Sequence, residues 1–209
     1  MGTGDSTVIK STSGAITLTG SAAFAAAATN ASGLQLQTDT ATGVVQVVSQ
    51  TGNISLIGSS VVESGATQTG LRFTAADATN VIMVGYDGSH AYSGDIVLRS
   101  NSILQRGQNT GAGSISIRST GGLTMESVGA SFTYLRAGGA SASLSFDDDW
   151  NFGTTFSSFN LGKSGNTADI TFSNALTING PMNVYGGDIS LNANLTNNAA
   201  GEGILFKAS

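Results

Sequence analysis

Cysteine is absent from the 209 residues, proline occurs once, at Pro181, and histidine once, at His90. Without cysteine there is no disulfide and no thiolate metal site, although no compartment is assigned by that. Charge is scarce too. Asp, Glu, Lys and Arg make up 10% of the chain, with a formal net charge of −5. Disorder by composition needs high charge and few apolar residues, whereas this chain is 40% apolar. A helical protein would draw heavily on Glu, Lys, Arg and Leu. A nucleic-acid interface needs a basic stripe, and the eight Lys and Arg are scattered, so no nucleic-acid partner is expected. No apolar run reaches the length of a spanning helix, so no membrane insertion is expected. The Ala-rich stretch from Ser21 to Thr29 is weakly apolar and follows no basic segment, which argues against a secretory signal. The opening Met1-Gly2-Thr3-Gly4 reads as a clipped edge, so the chain is expected to be a piece of something longer.

Glycine, serine, threonine, asparagine and alanine dominate instead, and they frame one recurring phrase. It is clearest at Gly14-Ala15-Ile16-Thr17-Leu18, Gly52-Asn53-Ile54-Ser55-Leu56, Gly94-Asp95-Ile96-Val97-Leu98, Gly113-Ser114-Ile115-Ser116-Ile117 and Gly187-Asp188-Ile189-Ser190-Leu191. Apolar–x–apolar puts two apolar side chains on one face of a short strand. The glycine ahead of it supplies a backbone position free to turn. One such strand cannot bury its own apolar face, but a stack of them can.

The same pattern returns at Leu34/Leu36, Leu71/Phe73, Phe132/Tyr134, Ile170/Phe172 and Ile204/Phe206. Ile96 to Ile115 and Ile170 to Ile189 are steps of 19, and Ile16 to Ile54 and Phe132 to Ile170 are steps of 38. Neither a leucine-rich frame nor a tandem calcium-binding nonapeptide is present. An antiparallel sandwich would carry more proline and clearer hairpin turns. The expected fold is therefore all-β: a parallel β-helix (a solenoid) with about 19–20 residues per coil and roughly ten coils, about 50 Å long. No linker or shift in composition divides the chain, so residues 1–209 are expected to form a single domain. The pattern fails at two places. Asp77 to Gly94 holds Tyr86, Asp87, His90 and Tyr92 and is expected to leave the coil as a loop. Residues 147–159 hold Asp147-Asp148-Asp149, the only tryptophan, Trp150, and Phe152, Phe156 and Phe159.

The Gly-x-Ile-x-Leu phrases, the Asn- and Gly-rich turns and the tail from Ile178 to Thr196 resemble the repeat region of filamentous-haemagglutinin-type bacterial exoproteins. The likeness is one of pattern and covers most of the chain. It implies a right-handed parallel β-helix, as the general rule for parallel crossovers also does. It further implies an extracellular or bacterial cell-surface location and a role in adhesion or as a stalk. The Asn-Pro-Asn motifs of the family's secretion domain are missing, so the resemblance implies an internal or carboxy-terminal rod piece.

Trp150, Tyr86 and Tyr92 are the candidate ligand-binding residues, because flat rings beside Asp and Asn groups suit sugars of a host surface or matrix. Phe152, Phe156 and Phe159 are expected inside the solenoid. Asp147 and Asp149 would share one face of a strand and are the candidate calcium ligands, although no EF-hand frame surrounds them. No other cofactor is expected. A catalytic His90 would need a partner within hydrogen-bond reach, and Asp87 and Asp95 are near it only in sequence. The sequons at Asn30, Asn53 and Asn194 are of a length that chance supplies in so Asn-, Ser- and Thr-rich a chain.

The expected function is that of a non-enzymatic structural or adhesive segment of a secreted or surface protein, giving a rigid rod for adhesion or a filament. The alternative is a polysaccharide-binding or polysaccharide-degrading β-helix. It would use Asp87, Asp95, Asp147 and Asp149 with Arg99, Arg106, Arg118 and Arg136, of which Arg99 and Arg118, 19 apart, would stack on one face. Unpaired strand edges at the ends of a β-helix invite end-to-end self-association into filaments.

Overall fold

The computed structural model describes residues 6–23, 31–38, 42–61, 68–75, 79–107, 114–137, 145–146, 152, 156–173 and 175–209. Among these residues there is no helix. Their strands pair in parallel throughout.

The first sheet joins β1 (Ser6–Ser11), β4 (Val44–Ser49), β7 (Val81–Val84) and β10 (Ser114–Ile117). The second joins β2 (Ile16–Ala22), β5 (Ile54–Ser60), β8 (Ile96–Arg99), β11 (Gly122–Glu126), β14 (Ser158–Leu161), β17 (Met182–Gly186) and β20 (Ile204–Ala208). The third joins β3 (Ala31–Thr38), β6 (Gln68–Ala75), β9 (Ser102–Gly107), β12 (Tyr134–Ala137), β13 (Ser145–Phe146), β15 (Ile170–Phe172) and β18 (Ile189–Leu191). A pair, β16 (Leu176–Ile178) and β19 (Leu195–Asn197), makes a fourth. Through β12, each of the first three sheets takes every third strand of the chain.

The register corrects the expected repeat. Ile16 lies beside Ile54, 38 residues on, and Val45 beside Ile82, 37 on. The step varies along the chain, being 27 from Ile96 to Leu123, and in the last strands it is 23 from Phe159 to Met182, 22 from Met182 to Ile204 and 19 from Ile170 to Ile189. The interval of 19 had two origins. In the last strands it is the true step between partners. Earlier it is the path from one sheet to another, as from Ile96 in β8 to Ile115 in β10. Inward alternation looks the same in every sheet, so the pattern cannot tell half a step from a whole one. Among the described residues the longest sheets hold seven strands, against the ten coils expected, which at strand spacing is about 30 Å. Arg99 and Arg118 do not stack either. Arg99 lies beside Ile57 and Glu126 in the second sheet, whereas Arg118 follows the end of the first.

Apolar columns run across the sheets. In the second sheet Ile16, Ile54, Ile96, Leu123, Phe159, Met182 and Ile204 are successive partners. All of them are buried except Ile204, which packs half-buried against the same core. Each buried Leu or Ile contributes about 1.5–3 kcal/mol against exposure. Phe152, Phe156 and Phe159 are buried together, with Phe152 ring centroids 6.4 Å from Phe156 and 6.1 Å from Phe159. They therefore fill the core, as the sequence suggested. The opposite face of the second sheet carries polar ladders: Asn183 Nδ2 donates to Asn160 Oδ1 at 2.8 Å.

The glycines ahead of the strands do a different job from the one expected. Gly14, Gly52 and Gly94 do not have positive φ. They stack in a column at one corner, and a Cβ on Gly52 or Gly94 would collide with the carbonyl of Gly14 or Gly52 respectively. Close approach of neighbouring backbones, rather than a special turn, requires them.

Candidate functional site

The corner between the first and second sheets is built the same way in several strand pairs. Ser11 Oγ accepts from Gly14 N at 2.9 Å, and Ser49 Oγ accepts from Gly52 N at 2.9 Å. Ser49 Oγ also donates to Gly14 O at 2.8 Å, tying one corner to the next. Ser119 Oγ repeats this by accepting from Gly121 N at 2.8 Å and donating to Tyr92 O at 2.7 Å. Asp95 belongs to the same corner ladder. Its N donates to Asn53 Oδ1 at 3.0 Å, and its Oδ1 accepts from Gly122 N at 2.8 Å. It is held there as a structural group.

One corner is longer than the rest. Between aligned positions, Ile9 to Ile16 and Val47 to Ile54 are seven residues and Ile117 to Leu123 is six, but Val84 to Ile96 is twelve. The extra residues form a small hairpin. Tyr86 and Ala91 make an antiparallel bridge, and Asp87 N donates to His90 O at 3.2 Å. Gly88, at φ 95°, takes the first central position of the turn, where only glycine is unstrained. The loop expected over Asp77 to Gly94 is thus shorter, since Val81–Val84 is strand β7.

Asp87 is the hub of the hairpin. Its Oδ1 accepts from Ser89 N at 2.9 Å and His90 N at 2.7 Å, and its Oδ2 accepts from Tyr92 Oη at 2.6 Å. The Tyr92 hydroxyl first, and then the two backbone N–H groups, hold the carboxyl far below its ordinary range. The same bond, followed by burial, raises Tyr92. Tyr86 Oη donates to Gly88 O, and the Arg118 guanidinium lies 4.8 Å from the centre of the Tyr86 ring. Gln46 Nε2 donates to Tyr86 O at 3.3 Å. The His90 side chain is 74% exposed, with Nδ1 3.7 Å from Asp87 Oδ1.

The structure therefore brings together Tyr86 and Tyr92, two of the candidate ligand-binding residues, with Asp87, His90 and Arg118, which the sequence had weighed only for an enzymatic alternative. Both phenol hydroxyls are engaged inside the hairpin, so what it offers outward is ring surface, the imidazole and the turn. An Asp ionised this firmly is a poor proton acceptor. Trp150, Asp147 and Asp149 lie outside the described residues, as do the side chains of Arg106 and Arg136. Arg99 pairs with Glu126, away from the hairpin. Among the described residues no three His, Asp or Glu side chains gather as metal ligands. The sequence named Arg118 only as one of four possible cations, and it gave no sign of Gln46 or of either residue's contact with Tyr86. They stand 32 and 40 residues from Tyr86 and reach it only because their strands flank β7. Comparison of the chain with protein-family models, with curated proteins and with solved structures gave no match in any of the three.

Proposed function

We propose that this chain is a parallel β-solenoid segment, right-handed by the general crossover rule, that acts as a non-enzymatic scaffold. It belongs to a secreted or cell-surface bacterial protein of the filamentous-haemagglutinin kind, and it presents the hairpin at 85–94 for adhesion to surface or matrix carbohydrate. The observation that carries this reading is the every-third-strand order of parallel strands through β12, with buried apolar columns. Such an order follows naturally when a chain winds past three faces in turn. At about 30 Å, one chain is too short to give reach by itself, so reach comes from repetition of such units. The hairpin is favoured for recognition because it is an insertion on a corner that three other strand pairs close without it.

Replacing residues 85–95 with the short corner of residues 48–53 tests both halves. The scaffold should fold as before, and retention on a glycan array should be lost. Unchanged retention would remove the hairpin from the reading. Polysaccharide cleavage that an Asp87→Asn variant abolishes would replace the reading with an enzymatic one.

A further inference from the structure

We propose that the corner between β16 and β17 is a site of spontaneous backbone modification, where the Asn179 side chain closes onto Gly180 N, loses ammonia and opens to isoaspartate. The inference is independent of the adhesive reading. Asn179-Gly180 is the one Asn-Gly pair in the sequence. Glycine obstructs such a ring closure least, because it has no Cβ and its backbone turns freely. Asn179 is exposed and lies outside the strands, after Ile178 ends β16 and before Met182 opens β17. The attacking nitrogen is not engaged either. Among the described residues none accepts a hydrogen bond from Gly180 N, so its attack breaks no hydrogen bond of the corner.

Elsewhere the same chemistry is held off. Asn101 precedes the small residue Ser102, but its Oδ1 accepts from Gly129 N at 2.6 Å and Ser102 is fully buried. Asp87-Gly88 could close the same ring, but the Asp87 carboxylate accepts from Ser89 N, His90 N and Tyr92 Oη. An ionised carboxylate held in that way is a poor electrophile.

The reaction balances with water alone. Gly180 N gives up its proton and bonds to Asn179 Cγ, and the side-chain amide leaves as ammonia. The product is a cyclic imide, which water then cleaves. Cleavage at the former backbone carbonyl leaves Gly180 N on Cγ, which is isoaspartate, and cleavage at Cγ leaves ordinary aspartate. Both products add a negative charge, and isoaspartate also adds one carbon to the main chain. That carbon falls where the corner has no slack. Ile178 and Met182 are both fully buried, so both ends of the corner are anchored. Gly180 lies so close to Ser157 O that a Cβ there would collide with it. Asn179 N donates to Phe156 O at 3.0 Å and Phe159 N to Pro181 O at 2.9 Å. A longer main chain draws these bonds out of register, so the modified chain opens locally between β14 and β17.

Incubation of the whole chain at mildly alkaline pH, read by peptide mass mapping and enzymatic isoaspartate detection, tests this. Isoaspartate is expected at Asn179 ahead of any conversion of Asn101. Hydrogen exchange at Asn179 N and Phe159 N is expected to rise in the aged chain. Asn179→Gln, whose longer side chain closes the ring poorly, should abolish both changes. A urea-unfolded sample separates sequence from structure. Conversion of Asn179 in urea but not in the folded chain overturns the proposal, because the corner then shields the site. Earlier conversion of Asn101 in the folded chain overturns it as well. Conversion of Asn179 without a rise in exchange overturns the local opening.

Discussion

The strands from β1 to β6 and those from β14 to β20 use the same inward alternation at different strand lengths and different steps between partners. The early strands are six to eight residues long and meet their partners after 37 or 38 residues. The late ones are three to five residues long and do so after 19 to 23. The late region approaches a minimal layer, with short strands and short connections. The early region spends the extra length on longer strands, and the next step of the second sheet, Ile54 to Ile96, includes the hairpin of Asp87. A parallel stack tolerates this change because each layer needs only its inward positions matched to its neighbours.

The largest expected effects ask whether the two regions are equally well packed. Phe73 in the early region and Phe172 in the late one are both fully buried. Truncation of either to alanine should cost about 3–5 kcal/mol in chemical denaturation. On the proposed solenoid reading, in which each coil contacts only its neighbours, hydrogen exchange should rise first around the altered strands. A much smaller cost for Phe73 would mean that the wide layers are loosely filled.

Next is the corner column. Gly94→Ala drives a methyl group into the Gly52 carbonyl and should cost about 3 kcal/mol. Gly201→Ala, in the late region, has nothing within 4 Å and only its φ of 82° against it, so it should cost about 1 kcal/mol. Equal costs would remove close layer approach as the reason for the corner glycines.

A smaller effect of opposite sign is expected at Thr42, an exposed β-branched residue held at φ 67° in the early region. Thr42→Gly should raise stability by about 1 kcal/mol, read as a higher melting temperature.

The smallest effect is confined to the hairpin. The carboxyl of Asp87 is depressed in the folded chain, so its contribution is present above the unfolded value of about 3.9 and is lost as pH falls through the much lower folded one. The Tyr92 contribution runs the other way, present below about 10 and lost as pH rises through the raised value. Amide resonances of Ser89 and His90 should therefore stay in place at pH 4 and move only in stronger acid, while the late strands are unaffected. Movement near pH 4 would contradict the role of Asp87 as hub.

Much of the architecture was legible as pattern. Ile16/Leu18, Leu34/Leu36, Ile54/Leu56 and Leu71/Phe73 all lie in strands, and parallel stacking followed from their return. What the pattern left out was the sheet each strand joins, because alternation is a property of one strand and membership a property of the path between strands. The valine-rich β4 was missed as well, although Gly43-Val44-Val45-Gln46-Val47 repeats the glycine frame with valine in place of Ile and Leu. At the hairpin, the tyrosines were visible as an aromatic break. The locking by Asp87 depends on backbone geometry, and the Arg118 contact depends on which strands are neighbours.

The difference between the two regions rests on register, and the absence of native cysteine makes register directly testable. Thr17 and Ser55 are partners 38 residues apart in the early region, and Thr171 and Ser190 are partners 19 apart in the late one. With cysteine placed at each pair in separate chains, mild oxidation should close an intramolecular disulfide in both, as neighbouring strands allow. Closure at Thr171 and Ser190 with none at Thr17 and Ser55 would contradict the wide early layers.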